Sequence, residues 1–182
     1  ENKFLGIDKN LFGLMSAGII WIIVGIIDDI KGLKPFSKFF WQGVCGLIIV
    51  CFGIKIWWLS NPLGGLNIVL GPWTYLLVPI WIGLLMNVLN WFDGIDGLTP
   101  GISIITLIVL FLLSINPQVN QQATAMLCAI LTGSVLGFFP YNWHPAKIFL
   151  GDSGSMFLGL MIATFSIISG AKLATAALVL GV

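Results

Sequence analysis

Six long apolar segments dominate this chain of 182 residues. They lie at roughly 11–27, 39–59, 73–91, 98–115, 122–140 and 154–170, and a seventh begins near residue 173. A helix needs about 20 predominantly apolar residues to cross the hydrocarbon core of a bilayer. Because a backbone in lipid must satisfy its own hydrogen bonds, single segments of this length cross as helices. The pattern predicts an all-α fold, a polytopic transmembrane helical bundle of about six spans.

The composition agrees with a membrane protein and argues against several other classes. Hydrophobic residues make up 58% of the chain and charged residues 8%, against about 25% charged residues in an average soluble domain. The net charge is +1 and no basic run occurs, which argues against nucleic-acid binding. The three cysteines lack the spacing of a metal site or a disulfide framework, so we expect structural thiols.

Most of the acidic residues fall on one side of the predicted bundle. Consecutive spans run in opposite directions, so the connections after the first, third and fifth spans share one membrane face. These three connections hold five of the seven acidic residues, which are Asp28, Asp29, Asp93, Asp96 and Asp152. The connections at 60–72 and 116–121 hold no charged residue. The eight lysines divide equally between the two faces and leave the orientation open.

The first acidic connection holds adjacent carboxylates. Asp28 and Asp29 follow an apolar run, where the helix dipole disfavours anions. Two adjacent like charges also repel each other, and a bound cation would relieve that repulsion. The alternative requires no ligand: Asp29 forms a salt bridge with Lys38 or Lys34 across the loop.

The second connection follows a polar stripe. Asn87, Asn90 and Asp93 recur every three residues, which places them on one side of a helix. Polar side chains at this depth usually face the bundle interior or a cavity. The following Asp93-Gly-Ile-Asp96-Gly places two carboxylates beside glycines that permit close approach to a ligand. Alternatively, these residues form only Asp-Gly turns that end a helix.

The third connection ends in Gly151-Asp152-Ser153-Gly154-Ser155. We expect Asp152 or Ser153 to cap the next helix, and a helix N-terminus of small residues can also cradle phosphate. Because a carboxylate there would repel phosphate, Asp152 together with Asp28 and Asp29 indicates Mg²⁺, which binds carboxylates and substrate phosphates. His144 is the only histidine, and we interpret it as an interfacial residue.

Taken together, the motifs resemble those of the polyprenyl-phosphate N-acetylhexosamine-1-phosphate transferases (glycosyltransferase family 4). The resemblance covers nearly the whole chain. Its carriers are Asp28-Asp29 with Lys38 and Gln42, Asn87-Val-Leu-Asn90-Trp-Phe-Asp93-Gly-Ile-Asp96-Gly-Leu98, and Pro145-Ala-Lys-Ile-Phe-Leu-Gly-Asp152-Ser-Gly-Ser-Met-Phe-Leu-Gly159. It implies a multi-pass enzyme of the plasma (inner) membrane, with its active site on the cytoplasmic face, acting among membrane lipids, and a homodimer is a further expectation.

The resemblance implies transfer of N-acetylhexosamine-1-phosphate from a UDP-N-acetylhexosamine to polyprenyl phosphate, with release of UMP. This is the first membrane step of a cell-envelope polysaccharide. The residues around Asp152 are more similar to the UDP-GlcNAc branch, which initiates enterobacterial antigen and teichoic acids, than to the branch that uses UDP-MurNAc-pentapeptide. The competing class is a membrane cation channel or transporter with an acidic vestibule, although transport sites usually lie near the midplane.

The resemblance also implies individual roles. Asp152 and Asn90 would ligate Mg²⁺, for which Mn²⁺ could substitute. Asp28, Asp29 and Asp152 would be catalytic, with Asp28 as the base, and Lys38 would hold phosphate. The residues expected to hold the nucleotide are Asn87, Asp93, Asp96, Asn142 and Phe149, of which Phe149 would stack on uracil.

The chain also departs from the family pattern. Family members have an N-terminal segment with a basic, glycine-containing loop and a C-terminal loop rich in histidine, and this sequence contains neither. We therefore expect residues 1–182 to be a single integral membrane transferase domain from a longer protein. Trp91-Phe92 is bulkier than the aliphatic residues expected before the Asp-Gly turn.

Overall fold

A computed structural model of the protein describes residues 3–4, 7–59 and 68–181. Its helices are α1 Lys9–Lys31, α2 Pro35–Cys51, α3 Thr74–Phe92, α4 Leu98–Ile115, α5 Gln122–Asn142, α6 Gly151–Ile168 and α7 Lys172–Leu180. The two-residue strands pair antiparallel, β1 Lys3–Phe4 with β2 Ile7–Asp8 and β3 Trp58–Leu59 with β4 Ile68–Val69. The all-α prediction is confirmed.

Five helices are long and apolar enough to cross a membrane: α1, α3 with its preceding 3₁₀ turn from Gly71, α4, α5 and α6. They make the chain a multi-pass membrane protein, as predicted. The predicted span 39–59 is wrong in its second half, because α2 ends at Cys51 and Gly53 adopts a φ of +110°. The chain then continues without regular structure to β3. α7 begins one residue before the position predicted for a seventh segment.

Helix α6 lies at the centre of the bundle and packs against α1 and α3, while α2 packs against the other sides of those two helices. Nearly every side chain from Ser155 to Ile167 is buried. The contact with α3 is closest at Gly159, where a Cβ atom would lie 2.5 Å from the Cα of Met86. Small residues allow transmembrane helices to approach in this way, because association in lipid depends on packing.

We expect Gly159→Val to separate α6 from α3 and to destabilise the bundle. The added side chain would meet the backbone of Met86 and the carbonyl oxygen of Leu85, 2.8 Å from the Cβ position. Overpacking of this kind costs about 1–3 kcal/mol or more. Thermal unfolding of the purified protein in detergent measures the loss. Gly133→Val in α5 is the matched control, since nothing lies within 4 Å of that Cβ position; equal losses from both variants would contradict the prediction.

The helix directions determine where the polar residues meet. α1 and α3 end, and α2 and α6 begin, at the same end of the bundle, because side chains near those termini contact one another. This end carries Asp28 and Asp29, Lys38, Asp93 and Asp152. The opposite end carries the start of α1, the segment after α2 and the turn between α6 and α7.

Candidate active site

The first turn of α6 is capped by carboxylates from two other helices. Asp29, at the end of α1, accepts hydrogen bonds from the backbone N–H groups of Asp152 at 2.8 Å and Ser153 at 3.2 Å. Asp93, which follows α3, accepts one from the backbone N–H of Gly151 at 3.0 Å. The N-cap residue is Leu150, without a capping side chain. The predicted local cap by Asp152 or Ser153 is therefore wrong, since residues distant in sequence supply it.

Lys38 joins two further carboxylates. Its ammonium nitrogen lies 2.7 Å from Asp28 Oδ2 and also contacts Asp152 Oδ2. The Asp28 side chain is only 2% exposed, and its other oxygen accepts a hydrogen bond from the backbone N–H of Leu33 at 2.7 Å. The alternative that required no ligand, a salt bridge between Asp29 and Lys38 or Lys34, is wrong. Among the described residues Lys38 pairs with Asp28 and Asp152, while Asp29 caps α6.

The polar stripe of α3 faces the bundle interior, as predicted, and contacts α2 and α6 there. Asn90 Nδ2 donates to Asp152 Oδ1 at 2.8 Å and to Ser155 Oγ at 3.1 Å. One turn earlier, Asn87 Nδ2 donates to Gln42 Oε1 at 2.8 Å. Asn87 therefore contacts α2, while Asn90 donates to the carboxylate oxygen of Asp152 that Lys38 does not contact.

Two loops border this cluster and are tied together by hydrogen bonds. The buried Asn142 accepts from the backbone N–H of Gly97 at 3.0 Å and donates to the carbonyl oxygen of Ile148 at 2.8 Å. Asp96 accepts from the backbone N–H of Ala146 at 3.1 Å and lies 2.8 Å from His144 Nδ1. These hydrogen bonds hold the pKa of Asp96 below its usual value. Asp96 and Asn142 therefore hold the loop 93–97 and the loop 143–150 together.

The structure thus brings most of the predicted site residues together. Asp28, Lys38, Asp152 and Asn90 form one connected cluster, which we call the carboxylate–lysine cluster. The residues adjoining it are Asp29 and Asp93 through α6, Asn87 through α3, and Asp96, Asn142 and the half-exposed Phe149 in the bordering loops.

Sequence reasoning missed three contacts in this region. Gln42 is 1% exposed and bonds Asn87, and Ser155 accepts from Asn90. His144, interpreted as an interfacial residue, contacts Asp96 although its side chain is 81% exposed. The spacing of Gln42, four residues after Lys38 on α2, was the available signal, because residues at this interval share a helix face.

Burial raises the pKa of Asp93 to about 6, despite opposing hydrogen bonds from the backbone N–H groups of Gly151 and Leu150. The folded protein therefore holds this proton more tightly than the unfolded chain, where the pKa is 3.8. The contribution of protonated Asp93 to the stability of the fold is fully present below pH 3.8 and is lost as the pH rises through about 6.

We therefore expect Asp93→Asn to change how stability depends on pH. The amide oxygen can still accept from Gly151, but it does not ionise. The melting temperature of the variant minus that of the wild type should therefore increase as the pH rises from about 4 to about 6, and it should stay constant above that range. Melting temperatures of both proteins in detergent across this range provide the measurement. A difference that does not vary with pH would contradict the assignment.

The donor atoms fit a cation that is shared with a substrate. The described residues contain no group of three or more His, Cys, Asp or Glu side chains placed to hold a metal ion, so they do not form an all-protein cage. Asp28 and Asp152 do converge on one cation, the ammonium of Lys38. One or two carboxylates completed by substrate phosphates are a common Mg²⁺ environment, and Asp152 supplies a carboxylate of this kind. Asn90 turns its amide nitrogen towards Asp152, so its amide oxygen would reach a metal held there only after the side-chain amide turns over.

Known proteins are similar to this chain over most of its length. The profile of glycosyl transferase family 4 matches residues 11–170. The chain is 37% identical over 161 residues to the decaprenyl-phosphate N-acetylglucosaminephosphotransferase of Mycobacterium leprae (strain TN), an alignment that covers 84% of this chain and 40% of the relative. It is 36% identical over 161 residues to the probable undecaprenyl-phosphate N-acetylglucosaminyl 1-phosphate transferase of Bacillus subtilis (strain 168), covering 88% and 44%.

A third relative represents the other donor branch. The phospho-N-acetylmuramoyl-pentapeptide-transferase of Streptococcus thermophilus (strain CNRZ 1066) is 35% identical over 164 residues, covering 85% of this chain and 48% of the relative. The chain thus spans less than half the length of these curated relatives. The family match contains the whole carboxylate–lysine cluster and the loops that border it, and the chain belongs to glycosyl transferase family 4.

Proposed function

We propose that the protein transfers N-acetylglucosamine-1-phosphate from a UDP-sugar to a polyprenyl phosphate in the membrane. The carboxylate–lysine cluster carries this proposal, because it places a cation and metal-binding oxygens at the end of a membrane bundle. A soluble nucleotide and a lipid phosphate can meet only at such an interface. The names of the relatives, which include decaprenyl and undecaprenyl phosphate with N-acetylglucosamine, support the same pair of substrates.

The reaction exchanges one phosphoanhydride for another. An oxygen of the polyprenyl phosphate attacks the sugar-proximal phosphorus of the UDP-sugar and forms a new P–O bond. The bond from that phosphorus to the bridging oxygen breaks, and its electron pair leaves with UMP. Since the bonds formed and broken are alike, catalysis depends mainly on positioning and on neutralisation of the phosphate charges.

Each residue of the cluster has a part in that neutralisation. Lys38 supplies a fixed positive charge, and Asp28 orients it, because this carboxylate is nearly inaccessible and contacts the ammonium directly. Asp152 and Asn90 would hold Mg²⁺, which when bound neutralises charge on the diphosphate oxygens. Asp29 keeps the α6 N-terminus beside the reacting phosphates through the backbone N–H groups of Asp152 and Ser153. A role for Asp28 as the base remains a prediction.

An apolar groove gives the lipid a place to lie. It has a volume of about 480 Å³ and runs between α2 and α3, from Asn87 and Trp91 near the cluster to Leu76 near the opposite end. Gly43 and Gly83 line the groove and, since they carry no side chain, leave space in it. An isoprenoid chain could follow this groove while its phosphate reaches Lys38, one turn of α2 from Gln42 in the groove lining.

The phosphates of the nucleotide require the cluster to face the cytoplasm, and we expect cysteine labelling to show this. In a Cys51→Ser background, Ile95→Cys should react with an impermeant maleimide only in inside-out vesicles, because Ile95 is 60% exposed in the loop beside the cluster. Val69→Cys is the matched control at the opposite end, 80% exposed, and should react in intact cells. Labelling of both from outside, or the reverse pattern, would contradict the proposed orientation.

UMP release tests the function itself. The purified protein in detergent is incubated with undecaprenyl phosphate, Mg²⁺, and either UDP-GlcNAc or UDP-MurNAc-pentapeptide. Release that requires both the lipid phosphate and Mg²⁺ supports the transferase, and the faster donor identifies the sugar. Release with UDP-MurNAc-pentapeptide alone would replace the GlcNAc assignment. If a folded sample neither releases UMP nor binds either nucleotide, the transferase proposal fails and an ion pathway becomes the better explanation.

A further inference from the structure

A second polar pocket lies at the end of the bundle opposite the carboxylate–lysine cluster. Its volume is about 300 Å³. It is bounded by the start of α1, the segment after α2, and the turn between α6 and α7, and its polar and aromatic lining consists of Asn10, Lys55, Trp57, Trp58, Gln121 and Lys172. Ile168 of this pocket is about 24 Å along α6 from Asp152, at 1.5 Å per residue. The two sites are therefore separate.

The two lysines of this pocket are held by aromatic rings. Lys55 Nζ lies 5.4 Å from the ring centroid of Trp57 and 5.0 Å from that of Tyr75, and Lys172 Nζ lies 5.7 Å from that of Trp58. These are cation–π distances. Such contacts orient an ammonium group but leave its positive charge uncompensated, so both amines can still accept an anion.

Across the described residues, neither lysine forms an ion pair with a carboxylate. Asp8, at this same end, uses its side chain to accept the backbone N–H groups of Asn10 and Leu11 at the start of α1. Lys172 is also the first residue of the nine-residue α7, where the helix dipole adds positive potential. The pocket therefore brings together two lysines that no carboxylate of the described residues pairs with.

We expect the pocket to lie at the level of lipid headgroups. Trp57 and Trp58 in its lining, and Tyr75 beside Lys55, are each between 45% and 63% exposed, and aromatic residues of this kind gather at membrane–water interfaces. The side-chain amides of Asn10 and Gln121 add hydrogen-bond donors. Two amines, amide donors and amphipathic rings at this depth match the chemistry of a phosphate group.

We propose that this pocket binds a phosphate group at the membrane surface opposite the candidate active site, carried by an anionic lipid headgroup or by a soluble phosphate. The site goes beyond the proposed transfer reaction, since none of its residues belongs to the carboxylate–lysine cluster. Both lysines contribute charge to the same cavity, so their effects on affinity should combine. An amine near an anionic membrane surface contributes about fivefold in affinity.

The test measures retained ligand by native mass spectrometry of the purified chain. One arm uses phosphatidylglycerol as the probe, and the other uses inorganic pyrophosphate. We expect Lys55→Gln and Lys172→Gln each to weaken binding about fivefold and the double variant about 25-fold. Lys9→Gln is the matched control, because Lys9 is an exposed lysine at the same end that does not line the pocket, and it should bind as the wild type does.

The two arms distinguish the sources of the phosphate. Lysine-dependent retention of phosphatidylglycerol assigns a lipid headgroup, and lysine-dependent retention of pyrophosphate alone assigns a soluble phosphate. Equal loss in Lys9→Gln, or binding that ignores both pocket lysines, would overturn the proposal. If the double variant does not fold, the wild type provides the test. Equal retention of phosphatidylglycerol and of the zwitterionic phosphatidylcholine would overturn a lipid site. The variant Lys55→Arg/Lys172→Arg keeps both positive charges and should retain the wild-type preference for phosphatidylglycerol over phosphatidylcholine.

Discussion

Asp152→Asn is expected to lower UMP release by about 10³-fold, the upper range for losing one preorganised electrostatic contact. Asp152 contacts both Lys38 and Asn90 and occupies the first turn of α6. Asparagine has nearly the same shape, so packing should survive. The negative charge that would hold Mg²⁺, and that balances Lys38, is lost.

Steady-state kinetics with a Mg²⁺ titration measure this effect. The apparent Mg²⁺ affinity should weaken together with kcat, while the melting temperature changes little. Asp8→Asn is the control for carboxylate-to-amide substitution, because Asp8 caps α1 at the other end of the bundle and asparagine is an equally good cap. Unchanged Mg²⁺-dependent turnover in Asp152→Asn would show that the metal assignment is wrong.

Lys38→Met is expected to have the largest effect on stability. It leaves Asp28, with a side chain only 2% exposed, without the cation that it contacts. Breaking a buried ion pair by removing one partner costs about 3 kcal/mol or more, which corresponds to a melting temperature lower by about 10 °C for a chain of this size. Transfer activity should also be lost, since Lys38 is the cation of the cluster.

A double variant separates the two effects. Asp28→Asn/Lys38→Met removes both charges, so it should recover most of the lost stability but none of the activity. Lys34→Met is the matched control, because Lys34 is exposed and belongs to the same connection, and its effect should stay within about 0.5 kcal/mol. A double variant no more stable than Lys38→Met would show that the uncompensated charge of Asp28 was not the cause.

The amino-acid sequence alone predicted the membrane bundle and the face on which the acidic residues gather. Both depend on local properties, namely segment length, hydropathy and the alternation of consecutive spans. The failure at 52–59 has a local cause as well. A hydropathy profile does not show that α2 ends at Cys51 or that Gly53 adopts a left-handed backbone conformation. It also scores Trp57 and Trp58 as apolar whether they cross the membrane or lie at its surface.

Side-chain partners could not be predicted in the same way. Asp28 and Asp29 are adjacent in the chain, yet Asp28 pairs with Lys38 while Asp29 caps α6. The helical turn points the two side chains in different directions, and the rotation of α1 against α2 and α6 decides which one meets the lysine. The cap on Gly151 likewise comes from Asp93, 58 residues earlier.

The sequence by itself determined the order of the apolar helices and the side on which each polar motif lies, because these follow from the energetics of single segments in lipid. Only the tertiary structure decided the pairing within the carboxylate–lysine cluster, the braced loops around Asn142, and the basic pocket that joins Lys55 to Lys172. These features need residues from several helices to come within a few ångströms, and that distance depends on close helix packing at positions such as Gly159.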